Sequence, residues 1–216
     1  MYDLHTHSLL SDGELLPSEL VRRYKVLGYK AVAITDHIDE SNAEMVIPKI
    51  VDVARKLSNK NGIVVIPGAE LTHIPTKDIK DLVKKVRALG AKIIIAHGET
   101  LAEPVAPGTN RRALQCGIDI LAHPGLITLV DAKLAAKNGV CLEVTTRRGH
   151  AFTNGHVVNM AKLAKARLVL NSDAHAPEDI LQPSAAEKIA MGAGLLKSDV
   201  IAMRKNAKEI ISRYIS

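Results

Sequence analysis

Short apolar runs rich in β-branched residues recur along the chain and alternate with segments of helical periodicity. Near-continuous apolar runs of this length are typical of parallel strands that are buried on both faces. The runs occupy residues 2–5, 31–35, 63–67, 92–97, 118–123, 139–144 and 167–172. The pattern therefore predicts a strand-helix unit repeated about seven times.

Helix signals lie between these runs. One helix is predicted from Pro17 to Gly28, a second from Thr76 to Gly90, and a third opens at Asn154. The second helix has four apolar residues on one face: Ile79, Leu82, Val83 and Val86. The tail from Ser198 predicts a final helix over 198–216 that packs on the outside through Val200, Ile201, Met203, Ala207, Ile210 and Ile211.

Repeated strand-helix units form either an open doubly wound sheet or a closed barrel. An open sheet gathers chemically active residues only at its switch point, whereas a barrel brings every strand end to one rim. No GxGxxG or GxxxxGK[ST] sequence follows any of the runs, which removes the usual nucleotide-binding versions of the open sheet.

Composition narrows the choice of class. The 216 residues, 47% of them hydrophobic, suit one sizeable core, so we expect a single domain over 1–216. Aromatic residues make up 2% of the chain, which leaves few platforms for stacking single-stranded nucleic acid. The net charge of +6 favours an anionic ligand such as a phosphate ester, although Lys-rich solvated helices explain it equally well.

Cysteine usage and hydropathy bear on the cell compartment. Cys116 and Cys141 stand alone without CxxC spacing, so they predict buried apolar positions, not a disulfide framework or a thiolate zinc site. No apolar run is long enough for a signal peptide or a membrane span. We therefore expect a cytoplasmic protein without a membrane partner.

Residue types that commonly bind metals stand at or just after the C-terminal end of every predicted strand. They are His5, His7, Asp36, His37, Glu70, His97, Glu99, His123, Glu143, Asp173 and His175. If these groups share one rim without a counter-ion, each uncompensated carboxylate costs roughly several kcal/mol. Imidazoles and carboxylates without thiolates suit a multinuclear catalytic site of zinc, manganese or iron. The strand ends thus favour the barrel, with a metal cluster at its mouth.

The first strand raises one structural alternative. His5 and His7 share a strand face with Asp3, because successive strand side chains point to opposite sides. Asp3 either orients one of the imidazoles or lies one layer deeper as a satisfied carboxylate. Asp12 arrives from the turn that Gly13 permits, which folds the loop back over the same mouth.

The segments DLHTHSLLSDG, ITDH, PGAE, AHGE, AHPG and NSDAH, in this order over residues 2–175, resemble the motifs of the PHP family. The family is named for polymerase and histidinol phosphatase, and the closest resemblance is to its histidinol-phosphatase side. The resemblance implies a distorted TIM-like (βα)7 barrel with three divalent metal ions that hydrolyses phosphoesters.

The resemblance also implies a ligand set. The first ion would be held by His5, His7, Glu70 and Asp173. Glu70 would bridge to a second ion on His97 and His123, and the third would be held by Asp12, His37 and His175. Some relatives have His at the position of Asp12. Within this set Glu70, Asp173 and His175 are the residues we expect to be catalytic.

Clustered divalent ions lower the pKa of a bound water and bind phosphate oxygens, so no protein nucleophile is needed. We therefore expect a phosphatase acting on a small phosphorylated substrate. Arg147, Arg148 and His150 could reach that phosphate or form a solvated basic loop. Arg111 and Arg112 are similar candidates, and residues 99–110 are expected to form a lid or specificity segment.

Several roles and rival functions stay open at this point. Glu99 and Glu143 are either supporting or general-acid groups, His73 lines the mouth or the surface, and His156 is not expected to be a ligand. The same metal site could cleave phosphodiesters as a nuclease, although the low aromatic content disfavours nucleic acid. A non-catalytic PHP-like scaffold or RNA-binding subunit would have lost ligands. Amidohydrolase chemistry would need a Lys at the end of strand four, where AHGE stands instead.

Overall fold

The computed structural model describes residues 1–58 and 62–214. The strands are β1 (Tyr2–Asp3), β2 (Ala31–Ile34), β3 (His37–Ile38), β4 (Val64–Leu71), β5 (Ile93–His97), β6 (Ile120–Ala122), β7 (Cys141–Thr145) and β8 (Leu168–Asn171). The helices are α1 (Pro17–Val26), α2 (Ala43–Leu57), α3 (Ile79–Ala88), α4 (Thr109–Leu114), α5 (Leu129–Asn138), α6 (Asn154–Ala164), α7 (Pro183–Gly192) and α8 (Lys197–Ser212).

The strands form a nearly closed parallel barrel. Their order is β1, β2, β4, β5, β6, β7, β8, and the two-residue β3 pairs with the end of β4. The closure between β1 and β8 includes a Thr6–Ala174 bridge, backbone bonds from His7 N to Ala174 O at 2.9 Å and from Asp173 N to His5 O at 3.0 Å, and a bond from Leu4 N to the Asn171 side chain at 3.0 Å. The predicted (βα)7 barrel is confirmed, and the open sheet is excluded.

Strand alternation divides the apolar residues into two layers. On β5, Ile93 and Ile95 face the barrel interior, whereas Ile94 faces the helices. The interior is filled largely by Ala and Ile from the strands. The same alternation carries polar side chains into the interior near the C-terminal end of each strand, where the apolar filling stops.

Helix α8 differs in part from the prediction. Its residues Ala207, Ile210 and Ile211 join the interior cluster together with Tyr2 and Val64, which lie at strand N-termini. The helix therefore closes the barrel at the end opposite the mouth. Ile201 was predicted to pack, but 64% of its surface is exposed, so that residue was assigned wrongly. Residues 215–216 of the predicted helix lie outside the described part of the chain.

Two glycines allow the loops after β5 and β6 to pack backbone against backbone. A Cβ atom at Gly98 would overlap the carbonyl oxygen of Ala122, and one at Gly125 would overlap that of Glu99. Gly125 also has φ +59°, in the left-handed region that favours glycine. The close approach brings the ends of β5 and β6, and hence His97 and His123, to the same side of the mouth. Over the described ranges, no helix combines the length and the apolar character that crossing a membrane requires.

Candidate metal centre

The strand pattern explains how the polar groups reach one place. Glu70 follows Ile66 on the inward face of β4, His97 follows Ile95 on β5, and Glu143 follows Cys141 on β7. Glu70 and Glu143 have no exposed surface, and His97 is 2% exposed. Each strand thus ends its apolar inner face with an ionisable group at the mouth.

The predicted ligands form adjoining groups whose donor atoms lie within 4.8 Å of one another. The groups are His5, His7 and Glu70; His5, His123 and Asp173; Glu70, His97 and His123; and His7, Asp12, His37 and His175. All nine residues of the predicted ligand set are therefore brought together at the mouth. Asp12 is the most exposed member, with 53% of its side chain accessible.

Distances within the groups suit convergence on ions. His5 Nε2 lies 3.2 Å from Glu70 Oε2, and His7 Nε2 lies 3.2 Å from Asp173 Oδ1. His175 Nε2 is 3.3 Å from Asp12 Oδ2. Ligand atoms about 2.1 Å from one ion stand about 3.0–3.4 Å apart at octahedral or tetrahedral angles. The observed separations match that range.

Unsatisfied polar atoms give a direct test of whether ions fit here. Within the described residues, seven buried atoms at the mouth have no aligned hydrogen-bond partner: His5 Nε2, both ring nitrogens of His7, both carboxylate oxygens of Glu70, His123 Nδ1 and Asp173 Oδ1. Buried polar atoms are otherwise almost always paired. Cations bound among these groups would supply partners that the protein itself does not provide.

Hydrogen bonds at Nδ1 fix the orientation of three imidazoles. His5 Nδ1 donates to Glu143 Oε1 at 2.9 Å, His97 Nδ1 to Gly98 O at 3.1 Å, and His175 Nδ1 to Asp173 O at 2.9 Å. Carboxylate and carbonyl oxygens only accept, so each Nδ1 carries a hydrogen, and in the neutral imidazole Nε2 is then the nitrogen with the lone pair. Supporting bonds of this kind are usual around metal-binding histidines.

Glu143 and Asp3, whose roles were open, are now distinguished. Besides holding His5, Glu143 accepts the backbone N–H of His123 at 3.1 Å, so it supports two imidazole-bearing residues. Asp3 instead accepts from the Tyr24 hydroxyl at 3.0 Å and contacts no imidazole nitrogen. Burial raises the pKa of Asp3 to about 6, although hydrogen bonds from Ser172, His5 and Tyr24 oppose that shift. Asp3 is thus the deeper, satisfied carboxylate.

Backbone strain coincides with the cluster. Among the described residues, positive φ outside glycine occurs at His73, His123, Lys165 and Asp173. Two of these belong to the predicted ligand set, and His73 lies beside it, with its ring centroid 5.2 Å from that of His97. Strained backbone held by surrounding structure is common at functional sites.

Burial keeps at least one ring in the form that binds a metal. Burial, together with the neighbouring His37, lowers the pKa of His7 to about 3. The His7 imidazole is therefore neutral near pH 7, with a lone pair available for coordination.

Comparison with known proteins is consistent with this geometry. A family model, the PHP domain, matches residues 3–102. The chain is 46% identical over 201 residues to the uncharacterized protein MJ1295 of Methanocaldococcus jannaschii, and the match covers 92% of each chain. The chain belongs to the PHP family. The predicted resemblance is thereby confirmed.

Two further relatives have names that refer to ribonucleases. Ribonuclease P protein component 3 of Methanosarcina barkeri is 28% identical over 229 residues, covering 98% of this chain and 89% of that protein. The 5'-3' exoribonuclease Rnm of Salmonella typhimurium is 32% identical over 114 residues, which are 52% of this chain and 34% of that enzyme.

Solved structures share the PHP barrel. Histidinol phosphate phosphatase of Lactococcus lactis, in complex with zinc, L-histidinol and phosphate, superimposes with a TM-score of 0.62 at 17% identity over 90% of this chain and 94% of that one. A putative histidinol phosphatase of Listeria monocytogenes gives 0.64 at 13% identity over 86% and 99%. At these identities the likeness concerns the fold alone.

The three predicted phosphate-binding residues of this PHP domain have different surroundings. Arg147 donates to Asp179 at 2.6 Å, and Asp179 also accepts the backbone N–H of His175, so the arginine braces the loop after β8. Arg148 is exposed. His150 is buried and stacks on His123 with ring centroids 4.2 Å apart. Burial lowers the pKa of His150 to about 4.

The remaining candidates lie away from the cluster or support it indirectly. Arg111 pairs with Asp131 at 2.7 Å, and Arg112 donates to Thr76 O at 3.1 Å. Both arginines line a separate cavity of about 590 Å³ behind the loop after β5. Glu99 accepts the backbone N–H of Asn110 in α4 at 2.8 Å. His156 contacts Ile127 O at 2.8 Å, as expected of a residue that is not a ligand.

Glu103 was not identified from the sequence as a site residue, and Asp36 was given no role. Glu103, in the loop between β5 and α4, places its carboxylate 3.1 Å from His97 Nε2, and no periodic pattern in the sequence marked it. Asp36 accepts from the backbone and hydroxyl of Ser8 and from the Ser11 hydroxyl. It therefore anchors the loop that carries Asp12. The ITDH segment displayed Asp36, but its partners lie in a distant loop.

Proposed function

We propose that this PHP protein is a metal-dependent phosphatase that hydrolyses a small phosphomonoester by a metal-activated water. The observation that carries the proposal is the set of seven buried imidazole and carboxylate atoms at the mouth that have no hydrogen-bond partner. Family membership supports hydrolysis at such a site, and the histidinol phosphate phosphatase of Lactococcus lactis offers a fold precedent for monoester chemistry.

We assign the ligands in three sets that follow the donor groups. His5, His7, Glu70 and Asp173 would hold one ion, and Glu70 with His97 and His123 a second. Asp12, His37 and His175 would hold a third, with His7 alongside. The ligand chemistry suits zinc, manganese or iron.

Bound ions would supply a water of lowered pKa and charge stabilisation at the phosphate oxygens. The protein's own groups orient the site. Glu143 fixes the tautomer of His5, and Asp36 holds the loop that carries Asp12. Arg148 is exposed, whereas Arg147 is engaged with Asp179. Arg148 would therefore bind and orient substrate while Arg147 shapes the loop.

Exposed apolar side chains occupy loops that follow four of the strands at the mouth. They are Leu9, Leu101, Leu126 and Phe152, each more than half exposed, and Phe152 reaches 80%. Phe152 lies two residues after His150, which stacks on His123. Side chains of this kind suit contact with the organic part of a phosphate ester, so the substrate would carry an apolar or ring-bearing group.

The test is turnover of p-nitrophenyl phosphate with manganese or zinc added. His97→Ala and Asp173→Ala should each abolish turnover while the circular dichroism spectrum stays that of the wild-type protein. His156→Ala is the matched control, because His156 contacts only a loop carbonyl among its described hydrogen bonds. Unchanged turnover in either of the first two variants defeats the assignment.

Phosphodiester cleavage is the second candidate, since two of the named relatives act in RNA processing by their printed names. Bis-p-nitrophenyl phosphate separates the two activities. A preference for the diester over the monoester would favour a nuclease. If the wild-type protein bound no metal and hydrolysed neither ester, a non-catalytic subunit would be favoured.

A further inference from the structure

Glu103 is the centre of a second histidine cluster at the outer edge of the mouth. Its Oε2 lies 3.1 Å from His97 Nε2 and 3.3 Å from His73 Nε2, and its Oε1 lies 3.4 Å from His150 Nε2. The loop after β4 supplies His73, and the loop after β5 supplies Glu103. Neither residue belongs to the ligand set proposed above.

We propose that His73, Glu103 and His97 form an additional cation site, here called the outer site, which takes zinc or a similar borderline metal ion. One donor atom from each residue lies within 4.8 Å of the other two. Two imidazoles and one carboxylate suit zinc and disfavour magnesium or calcium, which prefer oxygen ligands. A solvent molecule would fill the fourth position, because His73 and Glu103 are about two-fifths exposed.

A simple surface ion pair does not account for this arrangement. Pairs between exposed residues contribute about 0–1 kcal/mol, which gives little reason for three imidazoles to surround one carboxylate. His97 and His150 are 2% and 8% exposed, yet both direct Nε2 toward Glu103. His73 reaches the same carboxylate from a strained backbone with φ 53°. A cation among these donors gives that convergence a physical reason.

His97 links the outer site to the inner group of Glu70, His97 and His123. Its Nδ1 donates to Gly98 O, so only Nε2 can coordinate, and one lone pair binds one ion at a time. The outer site and the inner position on His97 are therefore mutually exclusive. Occupation of the outer site removes His97 from the inner ion, and excess zinc should inhibit hydrolysis. Only this inhibition rests on the proposed function.

Zinc titration by calorimetry, without substrate, tests the site itself. The wild-type protein is loaded with manganese, titrated with zinc and compared with His73→Ala, Glu103→Gln and the control His156→Ala. We expect both outer-site variants to weaken the lowest-affinity zinc event by at least about tenfold, a loss typical even of residues that only support a metal ligand. The control should bind as the wild type does.

Inhibition by zinc provides the second measurement. The free zinc concentration that halves p-nitrophenyl phosphate turnover should rise at least about tenfold in both variants, in line with their weaker binding. Unchanged zinc binding in Glu103→Gln, which preserves side-chain shape and is checked for folding by circular dichroism, would overturn the outer site. Equal weakening in His156→Ala would overturn it too. Weakened binding with unchanged inhibition would refute the sharing of His97. Absence of turnover in every assay would count against the proposed function alone, because the titration needs none.

Discussion

Glu70 is the residue through which metal binding should affect stability most. It belongs to two of the donor groups, and it has no exposed surface. Glu70→Gln preserves the volume of the side chain while removing the charge and one of its two coordinating oxygens. Packing should therefore be little altered, because volume-conserving changes are tolerated best.

The stabilisation expected from a bound ion follows from mass action. An ion present at about 1,000 times its dissociation constant adds about 4.1 kcal/mol to the free energy of unfolding. In a domain of 150–250 residues, 1 kcal/mol moves the melting temperature by about 2–4 °C, so one ion raises it by about 8–16 °C. Glu70→Gln weakens two ions, and we expect it to remove at least half of the wild-type increase.

The assay is thermal unfolding followed by circular dichroism, in a chelator and in manganese. Asp131→Asn is the control. Asp131 is also buried, but its carboxylate accepts a hydrogen bond from the hydroxyl of Thr128 at the start of α5, away from the donor groups. Its absolute melting temperature should fall while its manganese-induced increase stays at the wild-type value. The reasoning would be refuted if manganese raised the melting temperature of Glu70→Gln as much as that of the wild type. It would also be refuted if Asp131→Asn lost as much of this increase as Glu70→Gln.

Three further predictions follow from the same geometry. Glu143→Gln should lower metal affinity about 10–100-fold with retained folding, because the carboxylate that orients His5 is lost; equilibrium dialysis measures it, and wild-type affinity would contradict it. Gly125→Ala should lower the melting temperature by about 2–12 °C, since a Cβ would overlap Glu99 O and left-handed φ costs about 1–3 kcal/mol, at about 2–4 °C per kcal/mol. Burial raises the pKa of Cys141 to about 11. Native Cys141, which also has no exposed surface, should therefore resist Ellman's reagent at pH 8 and react rapidly in denaturant; fast native labelling of Cys141 at pH 8 would contradict this.

The barrel and the inward histidines could be predicted because both depend on local pattern. Apolar runs mark strands buried on both faces, and a strand's end fixes which side chains reach the mouth. His97 and Glu70 follow directly from that rule, since each continues the inward alternation of its strand. The family motifs then grouped the residues into sets.

Loop residues could not be placed in the same way. Glu103 reaches His97 only because the loop after β5 folds back over the mouth, and its position depends on tertiary contacts such as the bond between Thr100 and His150. The role of Glu143 could not be predicted because its partners, His5 and the backbone N–H of His123, follow other strands. Ile201 lies at helical spacing with buried residues, but it falls on the solvent side of α8.

The thin closure between the first and last strands has a consequence for the order of assembly. Leu4 and Asn171 meet across 167 residues of chain, and the imidazoles of His5 and His7, just after β1, face Asp173 across the same gap. During synthesis His5 and His7 can therefore meet Glu70 early, but they cannot meet Asp173 until the chain has been made through β8. Contacts this distant in sequence form slowly. In the proposed metal centre, binding of an ion that needs both His5 and Asp173 would accordingly be a late event in folding, and it would link the loop after β1 to the loop after β8.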